Sequence, residues 1–276
     1  MRVSVIGGGH VGRVLGRLFA GSADMPVVDV LARSAGSAAA AAAFIGAGRA
    51  LCDYASLAQA DVYMLSVGDD QIMAACEALV AARPLKGAVV FHCSGALASD
   101  RLQAARDAGA YVASVHPIRS FADAEAVAAA FEGTFCGVEG DAPALAVLLP
   151  ALAAIGARAV RIDASAKTVY HAAAVFASNY LVTVLDAALR AYQAAGIAEE
   201  VARELARPLA VESMENVFRM GAAAALSGPV ARGDMATVQR QQDAVAAWDA
   251  ATGQLYAALV PPTVELAARK RALAGG

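Results

Sequence analysis

Short apolar runs rich in β-branched residues alternate with alanine-rich stretches along the N-terminal part of the chain. VSVIG, VVDVLAR, VYMLSV, GAVVFHC, AYVASVH, TFCGVEG and ARAVRI read as strands, and the segments between them, including the alanine run from Ala38 to Ala43, read as helices. That alternation predicts βαβ units around a mostly parallel sheet. After Asp163 the texture changes. ASAKTVYHAAAVFASNYLVTVLDAALRAYQAAG and AEEVARELARPLAVESMENVFRMG carry helical patterning, and no convincing strand interrupts them. The chain is therefore read as an α/β domain over residues 1–163 and an all-helical domain over residues 164–276. No Pro/Gly/Ser-rich linker separates the two, so the sequence predicts packed domains with a substrate-sized cleft between them.

The first strand runs directly into VIGGGHVG, which places Gly7, Gly9 and Gly12 in GxGxxG spacing. In a dinucleotide-binding fold the first glycine permits a tight turn, the second admits a pyrophosphate close to the backbone, and the third lets the following helix pack on the strand. Strand before and helix after are the context the motif needs. His10 and Val11 lie inside the same loop, and Ser66 and Val67 follow the strand VYML, so all are candidate cofactor contacts. The end of the second strand selects the nicotinamide cofactor: an acid there bonds a ribose 2′-hydroxyl, whereas a nearby Arg accommodates a 2′-phosphate. If VVDVLARS ends its strand at Ala32, then Arg33 and Ser34 hold that position and favour NADP; a strand ending at Asp29 favours NAD and leaves VLA outside the sheet. The first register is the preferred one.

In KTVYHAAAVFASNY an apolar segment carries Lys167, His171, Ser178 and Asn179. At about 100° per residue, Lys167, His171 and Ser178 fall within roughly 40° of one another on a helix, while Asn179 points about 120° away. A buried polar stripe needs partners or a ligand. The other histidines sit in the glycine loop (His10) and at predicted strand ends (His92, His116), where open α/β sheets bind ligands. Pro117 stops the strand of SVHPIRSF beside His116, whose imidazole is suited to proton transfer. Lys167 and His116 are the leading candidates for proton donor or charge stabiliser, with His171 as their partner. Ser94 in FHCSGA, Asn179 from the flank and Arg232 in SGPVARGD are candidate substrate contacts, Arg232 by bidentate grip of a carboxylate. His92 is expected to support the site without touching substrate. No HxxxH or HExxH pair is present, so no metal is expected.

Composition narrows the partners. The 276 residues are 59% hydrophobic with a formal charge of -3, which gives no footing for nucleic acid. Cys52, Cys76, Cys93 and Cys136 form no CxxC pair, and no secretory signal precedes VSVIG, so a reducing cytoplasm is expected. The uncharged run from Thr168 to Leu185 contains His171, Ser178 and Asn179 and is read as a buried or subunit-interface helix, with no membrane span expected.

Together, VIGGGHVG, HCSGA, SVHPIRSF, KTVYHAAAVFASNY and SGPVARGD resemble the Rossmann-like proteins that carry a C-terminal helical domain of unknown function and are taken as NADP-dependent oxidoreductases. The architecture is more distantly similar to ketopantoate reductase, pyrroline-5-carboxylate reductase and the 6-phosphogluconate and β-hydroxyacid dehydrogenases. In that last group a KxxxN pair lies at the substrate; Lys167 matches its Lys, and His171 stands where its Asn would be. His116 and Pro117 also resemble the HP motif of prephenate dehydrogenase. The resemblance implies hydride transfer between NADP and a small oxo, imino or hydroxy acid, and a homodimer built by the helical domain. A cofactor-binding sensor or partner-binding module without turnover is the alternative from another class, and a deazaflavin-linked NADP reductase is a lesser one.

Overall fold

The computed structural model describes residues 1–274, and the chain divides into two compact units, Met1–Phe176 and Ala177–Gly276. The first unit is built on an eight-stranded sheet in the order β3-β2-β1-β4-β5-β6-β7-β8. Its strands are β1 Val3–Ile6, β2 Val27–Leu31, β3 Arg49–Leu51, β4 Val62–Leu65, β5 Val89–His92, β6 Tyr111–Pro117, β7 Phe135–Gly140 and β8 Arg158–Arg161. Every neighbouring pair is parallel except β6 and β7. The helices are α1 His10–Ala20, α2 Ala35–Ile45, α3 Ile72–Ala82, α4 Gln103–Asp107, α5 Ala124–Ala129, α6 Ala142–Ala154 and α7 Lys167–Val175.

The continuous apolar runs of the sequence are explained by burial on both faces of the sheet. Successive residues of β1 and β4 feed opposite cores: Val5 and Met64 pack with Leu15, Phe19 and Leu148, whereas Ile6 and Leu65 pack with Leu79 and Leu102. All the strands read from the sequence are present. The additional one, β3, is a three-residue edge strand with exposed Arg49 and Ala50, too short and too polar to carry an apolar signal. A pair of polar side chains holds it in place: Asp29 of β2 is fully buried and accepts from Arg49 Nε at 2.8 Å and from the Ala58 amide at 2.6 Å.

The mostly parallel sheet and the helical C-terminal region match the expected α/β class. The compact units, however, divide at Phe176, so α7 belongs with the sheet although it lies beyond residue 163. The cause is local: Lys167 and Tyr170 hydrogen-bond to residues of β6 and to the loop after β5.

The second unit is helical throughout its described residues, with α8 Leu181–Ala194, α9 Glu199–Met220, α10 Ala222–Ala225, α11 Pro229–Arg232, α12 Met235–Trp248 and α13 Ala250–Ala274. A π-helical turn, Phe176–Tyr180, lies between α7 and α8. Asp234 caps α12 by accepting from the Thr237 amide, as the Gly/Pro-rich segment before it predicts. Arg190 ties α8 to the start of α13 through Asp249 at 2.8 Å and Thr252 at 3.0 Å. The helical run Ala164–Ala194 is long and apolar enough to cross a membrane by length and composition alone.

Candidate functional site

The carboxyl edge of the sheet carries the first half of the site. A cleft of about 780 Å³ is lined by Gly7, Gly8 and Gly9 after β1, by Ala32, Arg33 and Ser37 after β2, by Cys52 and Tyr54, and by Ser66, Val67 and Gly68 after β4. Gly7 adopts φ +119°, and a Cβ there would lie 2.5 Å from the Ser66 carbonyl oxygen. A Cβ on Gly12 would lie 2.2 Å from Ser66 Oγ and 2.4 Å from the Gly7 carbonyl oxygen, so α1 can approach the strand only without one. Gly9 differs: its nearest neighbour would be 4.0 Å away, leaving its surface open. Gly9 is also the N-cap of α1 and supplies no side-chain cap, so the first amides of the helix remain available to an anion. These are the requirements of a pyrophosphate cradle.

β2 ends at Leu31, one residue before the expected Ala32, and Ala32 still donates its amide to Leu51 across the sheet. Asp29 is committed to Arg49 and Ala58 and is not on the cleft. Arg33 is exposed and lines it. Ser34 is the N-cap of α2, accepting from the Ser37 amide, and it is Ser37 that reaches the cleft.

The second half lies further along the same edge, at the ends of β5 and β6. Lys167 is 2% exposed, and its ammonium donates to the Ser94 carbonyl at 2.9 Å and to Ser114 Oγ. Burial lowers the Lys167 pKa, with Glu139, Asp69 and Cys93 pulling the other way. His116 Nδ1 is 2.8 Å from the Tyr170 hydroxyl, and its ring meets that of His171 edge-on at a centroid distance of 5.3 Å. Burial first, then His171 and Lys167, pull the His116 pKa down to about 4, while burial pushes Tyr170 up to about 12. At neutral pH the phenol is protonated and able to donate to Nδ1, an arrangement that puts the His116 proton on Nε2. Gly95 makes the two imidazoles possible: a Cβ there would lie 2.2 Å from His171 Nδ1 and 2.8 Å from His116 Nε2.

His92 supports the loop that carries Ser94 and Gly95. Fully buried, it bonds the Ala98 carbonyl at 3.0 Å and accepts from the Ser94 amide at 3.2 Å, a neutral tautomer that burial enforces by lowering its pKa to about 4. This gives a prediction for stability. His92 and His116 both fall from an ordinary 6.5 to about 4 on folding, so the unfolded chain takes up their protons first. Stability is therefore intact above 6.5 and is lost as pH falls towards about 4. Chemical denaturation across that window should show a steady loss, shallower in His92→Gln; a flat profile would contradict it.

Comparison with known proteins places the two halves of the cluster in separate domain models. Residues 1–117 match a Rossmann-like domain, and residues 134–262 match a domain of unknown function, DUF2520. The chain carries a Rossmann-like domain followed by DUF2520. Ser94, Gly95, Ser114 and His116 thus come from the Rossmann-like segment, and Lys167, Tyr170 and His171 from DUF2520. Among solved structures, protein TM1727 of Thermotoga maritima is 26% identical, with TM-score 0.73 over 98% of this chain and 100% of that one. BF3122 of Bacteroides fragilis, provisionally an NADP oxidoreductase, is 20% identical with TM-score 0.79, covering 96% and 98% of the two chains. The reductive aminase of Aspergillus terreus, in complex with NADPH and ethyl-5-oxohexanoate, is 16% identical with TM-score 0.66, covering 98% and 94%. Pyrroline carboxylate reductases are also among the structural neighbours. No curated protein matches the sequence.

The structure brings Lys167, His116, His171 and Ser94 together, but Ser94 differs in its role. Its hydroxyl donates to Asp69 at 2.9 Å and accepts from the Ala96 and Leu97 amides, so its side chain holds the loop, and only its carbonyl serves Lys167. His10 Nδ1 bonds the Phe121 carbonyl, and Val11 packs against the core; neither lines the glycine-loop cleft. Asn179, exposed within the π turn, and Arg232, exposed at the end of α11, belong to the second unit. Tyr170 and Ser114 are site residues that the sequence reading missed. Tyr170 had a usable signal, three residues after Lys167 on the same helical face. Ser114 had only its place in a strand. Among the described residues no group of three or more His, Cys, Asp or Glu side chains is placed to hold a metal.

Proposed function

We propose that the protein is an NADP-dependent oxidoreductase that moves a hydride between the nicotinamide and a small oxo, imino or hydroxy acid. The observation that carries this reading is a buried ammonium, Lys167, held beside two imidazoles at the carboxyl edge of the sheet that also forms the glycine-loop cleft. Moving along that edge from β2 through β1 and β4 to β5 and β6 leads from Arg33 past the glycine loop to Gly95, so an extended dinucleotide with its adenosine near Arg33 directs its nicotinamide towards Lys167 and His116. Lys167, with a lowered pKa, is suited to give a proton to the oxygen or nitrogen that gains electrons. Neutral His116 donates a hydrogen bond through Nε2 and takes a proton in the oxidative direction. Arg33 and Ser37 support a preference for the 2′-phosphate, because the only acid in β2, Asp29, is spent elsewhere. The structural neighbours include complexes with NADP or NADPH and complexes with NAD⁺, which supports a nicotinamide dinucleotide, and the preference for NADP rests on Arg33 and Ser37.

The test is NADPH oxidation by the purified protein across a panel of small oxo and imino acids. Substrate-dependent oxidation that is lost in His116→Gln supports the enzyme. Tight NADPH binding without turnover on any member supports the sensor reading instead.

We also propose a cytoplasmic homodimer formed by the second unit. Phe218 is 88% exposed, Val182 66% and Leu209 61%, a density of apolar surface that a monomer in water rarely leaves open. Sedimentation at micromolar concentration should give the mass of a dimer; a monomer would contradict the assignment.

A further inference from the structure

The Lys167 cluster has hydrogen-bond donors without an anion. Lys167 is bonded to two neutral oxygens and forms no ion pair among the described residues. His171 Nδ1 is a buried side-chain nitrogen with no hydrogen-bond partner. Buried charges and buried polar atoms are normally satisfied. The acids nearest in influence are already engaged: Glu139 of β7 accepts from the Ser99 amide and hydroxyl at 2.7 Å each, and Asp69 accepts from Ser94 at 2.9 Å. Of the other titratable groups around His116, burial raises the pKa of Tyr170 on α7 and of Cys93 and Cys136 after β5 and on β7, so all three are uncharged at neutral pH.

We propose that Lys167, His116 and His171 form a receptor for an anionic oxygen, so that the compound reduced at this site is a carbonyl compound and not a preformed iminium ion. The inference rests on the oxidoreductase reading and narrows its substrate class. In carbonyl reduction the hydride of the reduced nicotinamide bonds to the carbonyl carbon and the C=O π pair moves to oxygen. That oxygen takes the proton of the Lys167 ammonium, and the resulting amine recovers one from water. Charge thus develops where the donors converge. An iminium ion is positive before the hydride arrives, and it would meet the Lys167 ammonium directly, whereas the two acids that act on Lys167, Glu139 and Asp69, are turned onto Ser99 and Ser94. The pair of nitrogens crowded onto Gly95 also gives the anion a proton to share: an anionic oxygen beside His116 favours the imidazolium that burial otherwise suppresses.

Calorimetric titration tests this with NADP⁺-loaded protein near neutral pH, in two buffers of different ionisation enthalpy, using oxalate as the oxyanion probe and pyrrolidinium as the cationic one. Oxalate should bind at least about ten-fold tighter than pyrrolidinium and take up a proton as it does so. The uptake should vanish in His116→Gln, and oxalate affinity should fall about ten-fold or more in both His171→Phe and His171→Asn, with NADP⁺ affinity unchanged as the check on folding. Pyrrolidinium binding as tightly as oxalate, oxalate failing to bind, or oxalate binding that ignores both histidines overturns the proposal. NADP⁺ failing to bind in the first stage overturns the oxidoreductase reading as well, which separates the two failures.

Discussion

Replacing Lys167 by Met is expected to lower the rate of hydride transfer by about 10²- to 10³-fold, the usual effect of removing one donor from a developing charge, while leaving NADPH affinity unchanged. Lys167 does not line the glycine-loop cleft, where the adenosine and pyrophosphate contacts of the proposed pose lie, so most of the binding energy is untouched. Folding should survive as well. Met replaces a buried ammonium with an apolar chain of similar length, and the two oxygens it abandons partly satisfy each other, because Ser114 Oγ already donates to the Ser94 carbonyl at 3.3 Å. Lys167→Arg should not restore the rate: a guanidinium keeps its proton at any working pH and is too broad for the space between Ser94 and Ser114. Steady-state and single-turnover assays on an accepted substrate decide this. A Lys167→Met protein with unchanged turnover would remove Lys167 from the chemistry.

Gly12→Val should have the opposite signature, with cofactor binding lost first. The new side chain would start 2.2 Å from Ser66 Oγ and 2.4 Å from the Gly7 carbonyl, and the carbonyl is backbone that cannot turn aside. Either α1 moves off the sheet or the turn at Gly7 opens, and both displace the amides at Gly9. Losing the amide bonds to the charged pyrophosphate should cost about ten- to hundred-fold in affinity, with about 1–3 kcal/mol of stability lost to overpacking. Calorimetry with NADPH and urea denaturation measure the two effects; near-normal NADPH affinity would mean that the glycine loop does not hold the nucleotide.

The contrast between these substitutions shows what was legible in the sequence. The strands and the glycine loop could be read because their causes are local: apolar runs buried on both faces, and glycines where a Cβ has no room. The selecting position after β2 needed one further fact, the burial of Asp29 against Arg49, and Arg49 sits on the edge strand that carries too little apolar character to be seen. Lys167, His116 and His171 stood out as polar groups in apolar surroundings. Tyr170 was passed over, because an aromatic residue on an apolar helix is ordinarily core, although its place three residues after Lys167 puts it on the same face, where β6 gives its hydroxyl a partner. Ser94 was drawn to the right place for the wrong atom. Its side chain folds back on its own loop, a short-range choice that composition cannot reveal. Beyond Val175 the π turn at Phe176–Tyr180 changes the angular step of the helical wheel, which no composition of the segment announces.

The most direct test is a calorimetric titration of the wild-type protein and of Arg33→Ala with NADPH and with NADH. Wild-type protein should bind NADPH at least about ten-fold tighter than NADH, through charge-assisted bonds to the 2′-phosphate, and Arg33→Ala should abolish the preference while keeping NADH affinity. Tighter binding of NADH, or binding of neither nucleotide, would contradict the account at its base.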